Sequence, residues 1–110
     1  MTEIQFLHVL LERQVRISAV LARKAAEYTR GDRLSNFKRA AAMLNCTPEQ
    51  ACLGFWAKHV VSIMDFVKDI EHGELASEAM WDEKIGDAIS YLILLEALIK
   101  DRRNSSTVNT

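Results

Sequence analysis

The chain has 110 residues, nearly half of them apolar, and a formal net charge of −1. That length and composition suit one modest hydrophobic core and argue against disorder outside the ends. The near-neutral charge gives no broad basic surface for nucleic acid, so nucleic acid is not an expected partner. One proline and four glycines point to helices over many short strands. Cys46 and Cys52 lack the close pairing of a zinc knuckle and read as reduced thiols. No apolar run approaches the roughly 20 residues of a membrane span. The start Met1-Thr2-Glu3 lacks the basic-then-apolar order of a signal peptide, so a cytoplasmic location is the expectation.

The first predicted helix runs from about Glu3 to about Tyr28. Thr2 and Gln5 can form a capping box, in which a hydroxyl and an amide satisfy each other's free backbone donors. Ile4, Leu7, Leu11, Val15, Ala19 and Ala22 keep a helical stripe, and Glu12 with Arg16 is a favourable pair one turn apart. Gly31 can take a left-handed conformation and Asp32 can cap the next helix. That second helix is short, from Arg33 or Asn36 to Leu44. Its apolar face is Phe37, Ala40, Ala41 and Leu44, and Asn45 closes it.

Thr47-Pro48-Glu49-Gln50 is the clearest punctuation in the chain. Threonine caps, proline takes the first helical position, the acid suits the positive end of the dipole, and glutamine completes the box. The helix it starts runs to about His72, with Gly73 beyond. Its expected stripe is Leu53, Trp56, Val60, Ile63, Val67 and Ile70, with Lys58, Ser62, Asp65 and Asp69 largely opposite and His59 beside them. Ser77 can cap the last helix, which continues to about Arg102, leaving 103–110 as a frayed tail. That helix has two rows: Trp81, Ile85, Ala88, Leu92, Leu95 and Ile99, then Lys84, Asp87, Tyr91, Leu94 and Leu98. Short connections imply an all-α antiparallel bundle of four helices, three long and one short. The surplus of apolar positions on the last helix implies a further partner, most simply a second copy.

Two polar groupings could carry chemistry: Lys58, His59, Ser62, Asp65 and Asp69 on the third helix, and Glu83, Lys84, Asp87 and Tyr91 on the fourth. Carboxylates from facing helices can hold magnesium through oxygen ligands, and lysine and tyrosine suit phosphate and base recognition. The plain alternative is a solvated face, with His59 a surface or satisfied histidine and Asp87 a half-buried structural acid. A phosphate loop, a serine elbow and a thiol nucleophile all lack their motifs. A helix-turn-helix around Arg33 to Gln50 would present Pro-Glu-Gln-Ala-Cys-Leu, which is poor in base-reading residues.

The runs Lys24-Ala-Ala-Glu27-Tyr28, Arg33-Leu-Ser-Asn36-Phe37, Lys58-His59-x-x-Ser62-x-x-Asp65 and Glu83-Lys84-x-x-Asp87-x-x-x-Tyr91-Leu resemble small phage-encoded all-α proteins. These are similar to the MazG-like nucleotide pyrophosphohydrolase superfamily and its nucleotide-modification-associated relatives. The resemblance spans about Lys24 to Leu98. It implies a helical bundle that assembles as a homodimer or larger, and magnesium-dependent cleavage of nucleoside triphosphates. On this chain its two acidic motifs fall on Ser62-x-x-Asp65 and Lys84-x-x-Asp87, so two of four acids are present and a lysine replaces one. The implied metal ligands are Asp65, Asp69 and Asp87, with Glu83 joining Asp65 and Asp87 in catalysis. The implied ligand contacts are Tyr28, Asn36, Lys58, His59, Ser62, Lys84 and Tyr91. The lysine substitution favours binding of a phosphate-bearing molecule over turnover. Two other readings stay open: a non-enzymatic nucleotide sponge or inhibitor of a host protein, and a helical protein–protein adaptor.

Overall fold

The computed structural model describes residues 1–27 and 31–108, with only the backbone described at 25–27 and 106–108. Tyr28, one of the implied ligand contacts, lies outside the described residues. The described chain is all-α, with four helices: α1 Glu3–Glu27, α2 Ser35–Leu44, α3 Pro48–Glu71 and α4 Glu78–Val108. It divides into two compact units, Met1–Arg33 and Leu34–Thr110.

The first unit is α1 and the residues after it. The Thr2–Gln5 box forms as expected: Thr2 N–H donates to Gln5 Oε1 at 2.8 Å and Gln5 N–H to Thr2 Oγ1 at 3.1 Å. Glu12 and Arg16 pair at 3.7 Å. The expected stripe of Ile4, Leu7, Leu11 and Val15 is largely exposed, at 49–70%. Gly31 has φ +97°, a conformation that glycine adopts at little cost.

The second unit is built on α3. Thr47 makes the full capping box with Gln50, and Pro48 opens the helix. Asn45 takes the left-handed conformation (φ 54°) and ends α2, its N–H donating to the Ala41 carbonyl. Gly73, at φ 77°, follows the end of α3. The α2 start departs from expectation. The helix begins at Ser35, the residue at its N-cap position is Leu34, and no side chain caps it. Leu34 instead enters the core at 7% exposure, beside Phe37, Cys52 and Leu98. Burial of a leucine thus stands in place of the expected Asp32 cap.

α3 and α4 run antiparallel. Four residues forward on α3 match four back on α4: Phe55 stacks on Tyr91, and His59 meets Asp87. Farther along, Phe66 meets Trp81 edge-on at 5.3 Å. Phe37, Phe55 and Tyr91 form a triangle with centroids 6.2–6.3 Å apart, the spacing of favourable aromatic contacts.

The expected stripes of α3 and α4 turn inward only in part. On α3 the row that meets α4 is Cys52, Phe55, His59 and Phe66; Leu53, Val67 and Ile70 stay 46–54% exposed. On α4 both expected rows contribute inward residues, Tyr91, Leu94 and Leu98 from one and Ala88 and Leu95 from the other, while Leu92 and Ile99 are 45% and 42% exposed. Leu44, expected on the apolar face of α2, is 67% exposed. The last helix also outruns its expected end near Arg102, continuing to Val108. Two ion pairs hold that end: Arg102 to Glu49 and Lys38 to Asp101, the latter at 3.1 Å.

Candidate functional site

Three of the polar residues singled out on α3 and α4, His59, Asp87 and Tyr91, meet at one place. His59 Nδ1 lies 3.6 Å from Asp87 Oδ2, with both side chains mostly shielded (20% and 28% exposed). The His59 ring stacks on Tyr91 at 5.3 Å and 23°, and Tyr91 stacks in turn on Phe55. Lys58 holds its ammonium 5.9 Å from the Phe55 ring centre, within cation–π range. His59 Nδ1 is itself buried and has no hydrogen-bond partner, since 3.6 Å is too long for one. A half-buried histidine facing a carboxylate across 3.6 Å leaves a polar atom that a hydroxyl, an amine or a water could satisfy.

The helical register places the others. Ser62 comes level with Lys84, and both are half-buried. The Ser62 hydroxyl donates to the Lys58 carbonyl one turn back, at 3.2 Å. Asp69 is half-buried near the end of α3. Asp65, Glu83 and Asn36 are exposed. Asp65 lies six residues beyond His59, about 9 Å along the axis and about 120° round the helix. It therefore points away from Asp87 within one chain.

That geometry bears on magnesium. A preformed site needs several oxygen ligands converging on one point. Among the described residues no three His, Cys, Asp or Glu side chains are grouped to hold a metal. Asp87 faces His59, and Asp65 lies on another side of α3. Among the described residues, Asp65 and Asp87 of one chain do not converge on a ready-made cation site.

Apart from this cluster, a shallow groove of about 280 Å³ lies between α2, α3 and α4. Its charges are matched: Lys38 with Asp101, and Glu49 with Arg102. Both cysteines are free thiols. Cys52 is fully buried, its Sγ 3.4 Å from the Tyr91 carbonyl, and burial raises its pKa. Among the described residues no helix is long and apolar enough to cross a membrane.

Sequence reasoning found His59, Asp87 and Tyr91 but missed Phe55, which underlies the stack. The available signal was spacing: Cys52, Phe55, His59 and Phe66 form a row in steps of three, four and seven. No family model matches the chain, and no curated protein or solved structure matches it either.

Proposed function

We propose that this chain is a nucleotide-handling protein, of the type of the small phage-encoded relatives of MazG-like pyrophosphohydrolases, and that it binds its ligand without hydrolysing it. In this reading the four helices form one antiparallel bundle, and the ligand sits on α3 and α4 around His59, Asp87 and Tyr91. The observation that carries it is the meeting of His59 with Asp87 at 3.6 Å on the Tyr91 ring. Lys58 and Lys84 lie on the same stretch of the two helices and suit a phosphate. The aromatic and imidazole rings suit the flat face of a base. Magnesium enters only as a companion of the ligand's phosphates.

The test is a thermal-shift series with mono-, di-, tri- and cyclic nucleotides, with and without magnesium. A ligand specific to the folded state adds about 2.7 kcal/mol of stability at 100 Kd and so raises the melting temperature. His59→Ala and Lys84→Ala should each remove most of that response while leaving the unliganded protein folded. A flat response across all four nucleotide classes would remove the reading.

One observation favours a second reading, a helical interaction module. Ile4, Phe6, Leu7, Val9, Leu10, Leu11 and Val15 of α1 are all 43–70% exposed. Apolar side chains on so many sides of one helix suit burial against a partner, whether a host protein or another copy. This reading expects no nucleotide response, and it expects Asp87→Asn to bind the partner unchanged.

A further inference from the structure

The contact between His59 and Asp87 is made by one particular ring nitrogen. Nδ1 faces the carboxylate, 3.6 Å from Asp87 Oδ2, and Nδ1 is enclosed. A neutral imidazole carries its proton on one nitrogen and presents a lone pair on the other. A lone pair turned toward a carboxylate oxygen is repelled by it, and an N–H dipole is attracted. Both side chains are mostly shielded, so little water is at hand to dampen the difference. No other acceptor competes for the choice, because Nδ1 has no hydrogen-bond partner. The ring is also held in place, stacked on Tyr91 at 5.3 Å and 23°. Asp87 thus favours the form with the proton on Nδ1.

Fixing one nitrogen fixes the other. With the proton on Nδ1, Nε2 is a bare acceptor. The His59 side chain keeps 20% of its surface open, and Nδ1 contributes none of it, which leaves the opening to the edge that carries Nε2. An acceptor there takes a donor. Phosphate oxygens are mainly acceptors at neutral pH, and the Asp87 charge behind the ring disfavours them further. The hydroxyls of a sugar and the amino groups of a base are donors.

We propose that Asp87 is a positioning residue that holds His59 in its Nδ1–H form, and that Nε2 accepts a hydrogen bond from a hydroxyl or amino group of the nucleoside. The second half rests on the nucleotide-binding reading above; the first half does not.

Long-range proton–nitrogen spectra of the imidazole ring read the tautomer with no ligand present, at pH ~8.5, where an ordinary histidine is neutral. The spectrum of His59→Gln identifies the His59 signals among those of the three histidines. In the wild type Nδ1 should resonate as a protonated ring nitrogen and Nε2, downfield, as a bare one. Asp87→Asn keeps the shape but removes the charge, so it should lose that preference at unchanged helical ellipticity. Mono-, di-, tri- and cyclic nucleotides are then titrated in turn. Those that bind should move Nε2 upfield, as a bare nitrogen moves on accepting a hydrogen bond, and inorganic phosphate alone should not. A wild-type ring protonated on Nε2, or the same tautomer in Asp87→Asn, overturns the role of Asp87 whether or not nucleotides bind. A nucleotide that raises the melting temperature yet leaves Nε2 unmoved, or phosphate that moves it equally, overturns the donor contact alone. A flat response to every nucleotide overturns the binding reading and the donor contact with it, while the tautomer in the two proteins still decides the role of Asp87.

Discussion

Arg102 donates through Nε and Nη2 to the two carboxylate oxygens of Glu49, at 2.7 and 2.8 Å. These residues are 53 positions apart in the chain, and their fork ties the start of α3 to the far part of α4. The guanidinium holds the Glu49 carboxyl below its ordinary value of 4.5. A carboxyl with a depressed folded pKa adds stability that is complete above its unfolded value and fades as pH falls through the folded one. The contribution is small, because Arg102 is 57% exposed. Glu49→Gln should lower the melting temperature at pH 7 by about 2–4 °C and flatten its fall below pH ~4.5. Melting curves of the two proteins across that range check both parts; parallel acid limbs would show that Glu49 is not involved.

The turns beyond Arg102 depend on the same fork and on the pair of Lys38 with Asp101. Arg102→Ala should shorten α4 from its C-terminal end without loosening the core. Backbone chemical shifts of residues 103–105 should move toward coil values while those of 88–98 stay helical.

Thr47 Oγ1 accepts from the N–H of Gln50, and the Thr47 N–H donates in return to Gln50 Oε1. Thr47→Ala should cost about 1 kcal/mol, read as a lower urea midpoint at unchanged slope. Thr47→Ser should restore most of the loss.

Phe37 is 6% exposed and meets both Phe55 and Tyr91. Phe37→Ala should cost about 3–5 kcal/mol and Leu98→Ala about 2–5 kcal/mol, because both leave a cavity in the only tight cluster of this unit's described residues. Leu44→Ala, at a residue 67% exposed, should stay within about 0.5 kcal/mol. A large loss at Leu44 would mean that its surface is covered in solution.

Cys52 is wholly buried and its pKa is raised by that burial; Cys46 is partly exposed. Alkylation of the folded protein should therefore label Cys46 first and Cys52 only on unfolding. Mass spectrometry of timed digests reads the order directly.

The helix ends were legible because capping is local. Thr2 with Gln5, Thr47 with Gln50, and Asn45 each satisfy backbone groups within a few residues, so four letters carry the information. The inward faces were harder to read. α3 is apolar on two sides, and periodicity ranks Leu53-Val60-Val67 above a row containing His59. Which side is buried depends on the aromatic triangle, and Phe37 and Tyr91 lie on other helices. The length of α4 was hidden for the same reason, since its anchors Lys38 and Glu49 lie more than fifty residues upstream. Of the polar cluster, the closeness of His59 to Asp87 could be expected from antiparallel neighbours, but the direction of Asp65 needed the register.

The antiparallel register of α3 and α4 also sets an order of assembly. The hairpin turn spans only His72 to Ser77, so Phe66 and Trp81 close the shortest chain loop. His59 with Asp87 comes next, then Phe55 with Tyr91, and Glu49 with Arg102 closes the longest. Each step adds little loop entropy once the one before it is made, so the pair should zip from its bend toward its open end and unzip in reverse.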